Sequence, residues 1–163
     1  MKGTELLCAI QCDSVLRNYV LGVYARDTLP VLTPYMLASG VAIIVNTDKR
    51  GNEGQHWTAM YFKDNKAELF DSLGEPVHKD FVNYLMLYAG SYVSNPHQFQ
   101  SSDSNICGLY CLYYLLCKFK ACMTLTSISN QFDVNNLLWN DMFISQYMCH
   151  YFKYCYPPCM KCI

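Results

Sequence analysis

Apolar positions recur along the chain in two periods, and the switches between them predict helices at both ends with strands in the middle. Across residues 5–16, Leu6, Leu7, Ile10, Val15 and Leu16 fall at a helical spacing among polar positions, with Thr4 ahead of them as a cap. A short apolar segment follows at residues 19–24, and the two prolines of residues 28–34 mark a loop. Residues 37–46 contain the β-branched run Val41, Ile43, Ile44 and Val45, read as a buried strand, and close on a polar stretch, 46–55, rich in Gly, Asn and charge. Two further strands are predicted at 56–63 and 66–71, joined by Asp64-Asn65, a pair suited to a tight hairpin. After a turn at 72–76, residues 78–89 have helical periodicity, and 91–105 read as a polar connection with a short strand. An apolar helix begins near Cys107, with Ser104 or Asn105 as its cap, and helical sequence runs from 126 to about 152. The sum is an α+β chain with a central mixed sheet packed by helices, one domain over residues 1–163.

Composition narrows the function. The chain has 163 residues, 52% hydrophobic, enough to bury one substantial core. Twelve basic residues against 13 acidic ones leave out the positive footprint of a general nucleic-acid binder. The apolar stretch after Thr4 is broken by Gln11 and Asp13 before it resembles an export signal, and the longest apolar run, 107–117, is about half of what a membrane-spanning helix needs. An intracellular chain is therefore expected, neither secreted nor membrane-bound, with most of its 10 cysteines reduced and packed as small hydrophobes.

Two clusters carry chemistry. In the first, Cys107 stands at the predicted start of a helix, where backbone N–H groups and the positive dipole end favour a thiolate. Gly108 leaves room for a substrate carbonyl, and the Cys107 amide is available to an oxyanion. His56, at a strand start, supplies a base that exchanges protons near neutrality, and Asp71, at the end of the hairpin, can fix its tautomer. Gln100, seven residues before Cys107, adds a second oxyanion donor. His97 is the rival base, closer in sequence to Cys107 but without an acid at the end of an adjacent strand. Cys111, one turn beyond Cys107, is a buried neighbour or a partner for reversible oxidation. The second cluster is a Cys-rich tail from about residue 149, with Cys149, Cys155, Cys159 and Cys162. It lacks the paired knuckles of common zinc modules, so an uncommitted thiol-rich tail is the simplest reading, with a zinc site or disulfides as alternatives.

The strings Gly54-Gln55-His56-Trp57-Thr58-Ala59-Met60, Leu69-Phe70-Asp71-Ser72-Leu73-Gly74 and Gln100 to Cys107-Gly108-Leu109-Tyr110-Cys111 resemble the adenovirus maturation proteases, the adenain family. Leu21-Gly22-Val23-Tyr24 and Ile44-Val45-Asn46-Thr47 extend the resemblance, which covers about residues 5–120. The order His, Asp, Gln, Cys also characterises the wider clan of ubiquitin-like-protein proteases. The resemblance implies a papain-like cysteine protease fold in permuted order. It assigns His56 as base, Asp71 as orienter, Gln100 and the Cys107 amide as oxyanion hole, Cys107 as nucleophile, and Gly54 and Trp57 as substrate-binding residues. Adenains usually carry glutamate at the place of Asp71; aspartate there is similar to the ubiquitin-like-protein proteases, whereas the spacing from Gln100 to Cys107 is similar to adenains.

The implied activity is cysteine endopeptidase action on a polypeptide substrate, with cleavage after small, Gly-type residues of viral structural precursors during virion maturation. A relative from another virus or a virus-like transposon would act as a monomer in the host nucleus, cytoplasm or virion. Residues 88–99, where the adenovirus enzyme has the cysteine that bonds its peptide activator, contain no cysteine, and the chain is not basic. Neither peptide nor DNA activation is expected, and the chemistry requires no cofactor. The alternatives are an isopeptidase acting on ubiquitin-like tails and a non-catalytic binding module.

Overall fold

In the computed structural model, which describes residues 1–52 and 56–152, the chain order is α1 (Gly3–Cys12), α2 (Leu16–Tyr19), β1 (Val20–Ala25), α3 (Pro34–Ser39), β2 (Val41–Asn46), β3 (Trp57–Lys63), β4 (Lys66–Phe70), α4 (Lys79–Tyr88), β5 (Ser91–Ser94), α5 (Cys107–Lys120), α6 (Leu125–Ser129) and α7 (Leu137–Phe152). The five strands lie side by side in chain order. β2, β3 and β4 pair antiparallel, while β1 on β2 and β5 on β4 pair parallel, so the sheet is mixed. Asp64 and Asn65 take φ values of 50° and 62°, the left-handed pair that a two-residue hairpin needs to match strand twist.

Side chains along each strand alternate between two cores. Ala42, Ile44, Ala59 and Phe70 face the larger one, built with α1, α5, α6 and α7; Ile43, Val45, Met60, Phe62 and Leu69 face the smaller one, with Phe81 and Leu85 of α4. β2 is buried at all six positions, which is why its sequence is a continuous apolar run rather than an alternation. α5 is held on β4 by polar contacts within the larger core. The Tyr114 hydroxyl donates to Glu68 Oε2 at 2.7 Å and Lys118 Nζ to Glu68 Oε1 at 2.6 Å, while Tyr114 stacks on Phe70 at 4.9 Å. These contacts place the helix that begins at Cys107 across the strand that ends at Asp71.

Several boundaries differ from the sequence reading. The helix expected over 5–16 is two helices, because Asp13 leaves helical geometry and its Oδ1 accepts from the Val15 and Leu16 amides at 2.9 Å each, holding the turn between them. The cap of α1 is Lys2 rather than Thr4, with the Lys2 amide donating to the Glu5 carboxylate at 2.6 Å. Residues 34–39 are helical, not strand or loop: Thr33 caps them, Pro34 fits the first turn, and Gly40 ends them at φ 83°. The helical sequence after 126 is broken, with Asn140 turning back to bond the amide and carbonyl of Asp133 at 2.9 Å each.

Candidate active site

His56 immediately precedes β3, and its carbonyl accepts from the Thr47 amide at 2.9 Å, so the β2 and β3 pairing extends to it and fixes its backbone. Asp71 immediately follows β4. Because β3 and β4 are antiparallel neighbours, the start of one lies beside the end of the other, and His56 Nε2 meets Asp71 Oδ1 at 2.6 Å. Both residues are buried, at 6% and 5% exposure, so the bond is shielded from solvent. Asp71 Oδ1 also accepts from the Leu73 amide at 2.8 Å.

Cys107, the first residue of α5, is buried and hydrogen-bonded to His56. With Nε2 taken by Asp71, Nδ1 is the imidazole nitrogen left for the sulfur. The helix cap is Ile106, without a side-chain cap bond; neither Ser104 nor Asn105 fills that role. The sulfur receives backbone N–H donation from Trp57 and Gly108 instead. Two opposed shifts result. Burial pulls the His56 pKa down, but bonds and charge from Asp71 and Cys107 outweigh it and push it up to about 10. Burial pushes the Cys107 thiol up, but the bond and positive charge of His56 with the two amides bring it below its ordinary value. The pair therefore favours thiolate and imidazolium.

Gln100 is 1% exposed in the loop before α5. Its Oε1 accepts from the Ser72 hydroxyl at 2.7 Å, its Nε2 donates to the Ser104 carbonyl at 2.7 Å, and its amide N–H donates to the Ser72 carbonyl at 2.9 Å. One Nε2 proton remains beyond the bond to Ser104. The loop is also held from α7, where Asn140 Nδ2 donates to the Phe99 carbonyl at 2.9 Å and Asp141 Oδ2 accepts from the Ser101 amide at 3.2 Å.

Further residues here went unread in the sequence. Asn95 clamps Asp71: its Oδ1 accepts from the Asp71 amide at 2.8 Å, while its Nδ2 donates to the Asp71 carbonyl at 2.6 Å and to the His97 carbonyl at 3.0 Å. Its signal was only an Asn-Pro turn, with nothing local to say that the amide faces a strand end 24 residues earlier. Met1 and Leu6 also press on the start of α5. A Cβ on Gly108 would lie 3.0 Å from Leu6 Cδ2 and 3.0 Å from Met1 Sδ, so the absent side chain makes room for the N-terminal segment.

Trp57 is part-buried. Its indole N–H donates to the Met1 carbonyl at 3.0 Å, and its ring lies against Gly3. Cys111 donates to the Trp57 carbonyl at 3.3 Å, and complete burial raises its thiol pKa well above the ordinary value, which makes it a packed, inert thiol. His97 meets this region through its carbonyl, on Asn95 and beside Gly74. Gly54 lies outside the described residues, as do Cys155, Cys159 and Cys162. Cys149 is disulfide-bonded. Among the described residues no helix is long and apolar enough to cross a membrane.

No family model matches the chain, and no curated protein matches its sequence. Among solved structures it is similar to the selenomethionine form of the ASFV pS273R protease, at 17% identity and a TM-score of 0.47, covering 62% of this chain and 42% of that one. A second crystal structure of the same ASFV protease matches at 17% identity and a TM-score of 0.43, covering 62% and 40%. The chain thus spans well under half the length of the neighbours it matches.

Proposed function

We propose that this chain is a cysteine peptidase, and the observation that carries the reading is the buried relay from Asp71 through His56 to Cys107, with its 2.6 Å carboxylate bond and opposed pKa shifts. Cysteine hydrolysis needs a nucleophile ionised at neutral pH, a proton donor for the leaving group, and a donor for the oxyanion. Cys107, His56 and Gln100 have those chemistries, and Asp71 holds the imidazole orientation. The Cys107 thiolate attacks the scissile carbonyl carbon. The carbonyl electron pair moves to oxygen, which takes hydrogen bonds from the Cys107 amide and the spare Gln100 Nε2 proton. The oxyanion collapses, the C–N bond breaks, and the His56 imidazolium gives its proton to the departing amine. A water then loses a proton to His56 and attacks the thioester, releasing the carboxylic acid product and restoring the thiolate and imidazolium. No cofactor enters any step.

The finer reading rests on the sequence resemblance: a papain-like fold in permuted order, an endopeptidase that cleaves viral precursors after Gly-type residues during maturation, with Trp57 and Gly54 beside the substrate. Aspartate at residue 71 is the observation that favours the second reading, an isopeptidase for ubiquitin-like tails. Hydrolysis of short glycine-containing peptides and of ubiquitin-like conjugates, each beside Cys107→Ala, separates the two. Peptide cleavage lost in the variant supports the endopeptidase, and cleavage of conjugates alone supports the isopeptidase. Equal turnover by the variant overturns both.

A further inference from the structure

Asp71 and Ser72 are consecutive, and their side chains reach the two halves of the site: Asp71 Oδ1 holds His56, and Ser72 Oγ holds Gln100. We propose that Ser72 is the positioning residue of the oxyanion hole, fixing the Gln100 amide so that its free N–H is ready for the developing charge. The inference deepens the peptidase reading and rests on it.

A primary amide is nearly symmetric in shape, so its partners decide which end is oxygen. The Ser104 carbonyl can only accept, and it lies 2.7 Å from Gln100 Nε2. A flipped amide would set two oxygens against each other there. The Ser72 hydroxyl, 2.7 Å from Oε1, donates to the other end and closes the second degree of freedom. The Ser72 carbonyl takes the Phe99 and Gln100 amides at 2.8 and 2.9 Å, so the backbone that carries the glutamine is held by the same residue. Ser72 is 1% exposed, out of reach of a substrate, and so acts through Gln100 alone. An oxyanion donor accelerates only when it stands in place before charge develops, and its loss typically costs about 100-fold to 1,000-fold in kcat. A donor left free to rotate forfeits part of that.

The test compares Ser72→Ala, Gln100→Ala and the double variant on an activated glycine ester, with Cys107 alkylation by iodoacetamide measured in parallel. Ser72→Ala should lower kcat about 10-fold to 50-fold with KM within about 2-fold. The alkylation rate and its pH profile should not change, since alkylation forms no oxyanion. In the Gln100→Ala background Ser72→Ala should add nothing. An unchanged kcat, or an equal loss in that background, overturns the proposal. If Ser72→Ala does not fold, Ser72→Cys, a weak donor of similar size, replaces it with the same expected outcomes. If the wild type turns over no ester, the peptidase reading fails while Ser72 is still read from the Gln100 side-chain amide proton signals, assigned by their loss in Gln100→Glu. Those signals should be slow to exchange in the wild type and lose that protection in the Ser72 variant; retained protection overturns the positioning.

Discussion

Replacing Asp71 by asparagine keeps the shape of the site and removes only its charge. Asn Oδ1 can still accept from His56 Nε2 and from the Leu73 amide, as Asp71 Oδ1 does at 2.6 and 2.8 Å. What is lost is the preference of a buried carboxylate for imidazolium over imidazole. A hydrogen bond to a charged group contributes about 1.5–3 kcal/mol, and the accompanying Coulomb attraction, about 4 kcal/mol at 4 Å for an effective dielectric constant near 20, sets the upper end. A net loss of about 2–4 kcal/mol lowers the His56 pKa by about 1.5–3 units. From about 10, that brings it to between about 7 and 8.5, closer to its ordinary 6.5. Cys107 loses the positive charge that held it down, so its thiolate forms only at higher pH. Iodoacetamide alkylation measured from pH 5 to pH 10 reads this directly. The wild type should react at a nearly constant rate from neutral pH upward, whereas Asp71→Asn should fall behind it, by up to about 30-fold to 1,000-fold, once its imidazole loses the proton above about pH 7 to 8.5, and recover at the highest pH. Superimposable profiles for the two proteins would refute the claim that Asp71 sets the ionisation of the pair.

Three further outcomes follow from the same contacts. Asn95→Ala removes three bonds to the backbone around Asp71 and should cost about 2–4 kcal/mol of stability in urea unfolding, with kcat falling through a misplaced Asp71. Gly74→Ala places a Cβ 2.6 Å from the His97 carbonyl carbon at φ +63°, a collision with backbone, and should lower stability by about 2–4 kcal/mol in a thermal melt. The raised His56 pKa contributes stability that is complete below 6.5 and lost as pH rises through about 10, while the lowered Cys107 pKa contributes stability that is complete above 9.0 and lost as pH falls through the folded value. Between those unfolded values the two contributions have opposite slopes, so wild-type stability should change less from pH 6.5 to 9.0 than that of Cys107→Ala, which should decline from pH 6.5 upward in denaturant titrations.

The hairpin of β3 and β4, α4 and the start of α5 were legible in the sequence because their signals are local: the Asp64-Asn65 turn, a helical period after His78, an apolar run behind Cys107. The contacts among His56, Asp71 and Cys107 follow from the hairpin once an apolar helix crosses it. α3 was missed because its six residues offer too short a period to outweigh the adjacent β-branched run, although Thr33 before Pro34 was a readable cap. The groups that hold the site could not be read. Asn95 bonds backbone 24 residues away, and Asn140 and Asp141 bond a loop about 40 residues earlier, and side-chain bonds to distant main chain leave no periodicity. Gly108 was read as space for substrate because its neighbours in sequence suggested it; its neighbours in space are Leu6 and Met1.

If Cys107 forms a covalent acyl-enzyme, an acid-quenched burst experiment with a p-nitrophenyl ester of a glycine-ending peptide will trap it. Turnover through the thioester should give a burst of one nitrophenol per protein molecule and, in the quenched sample, an added acyl mass that peptide mapping places on Cys107; Cys107→Ala should show neither. Absence of the burst at neutral pH, an acyl group on another residue, or an equal burst from Cys107→Ala would contradict it.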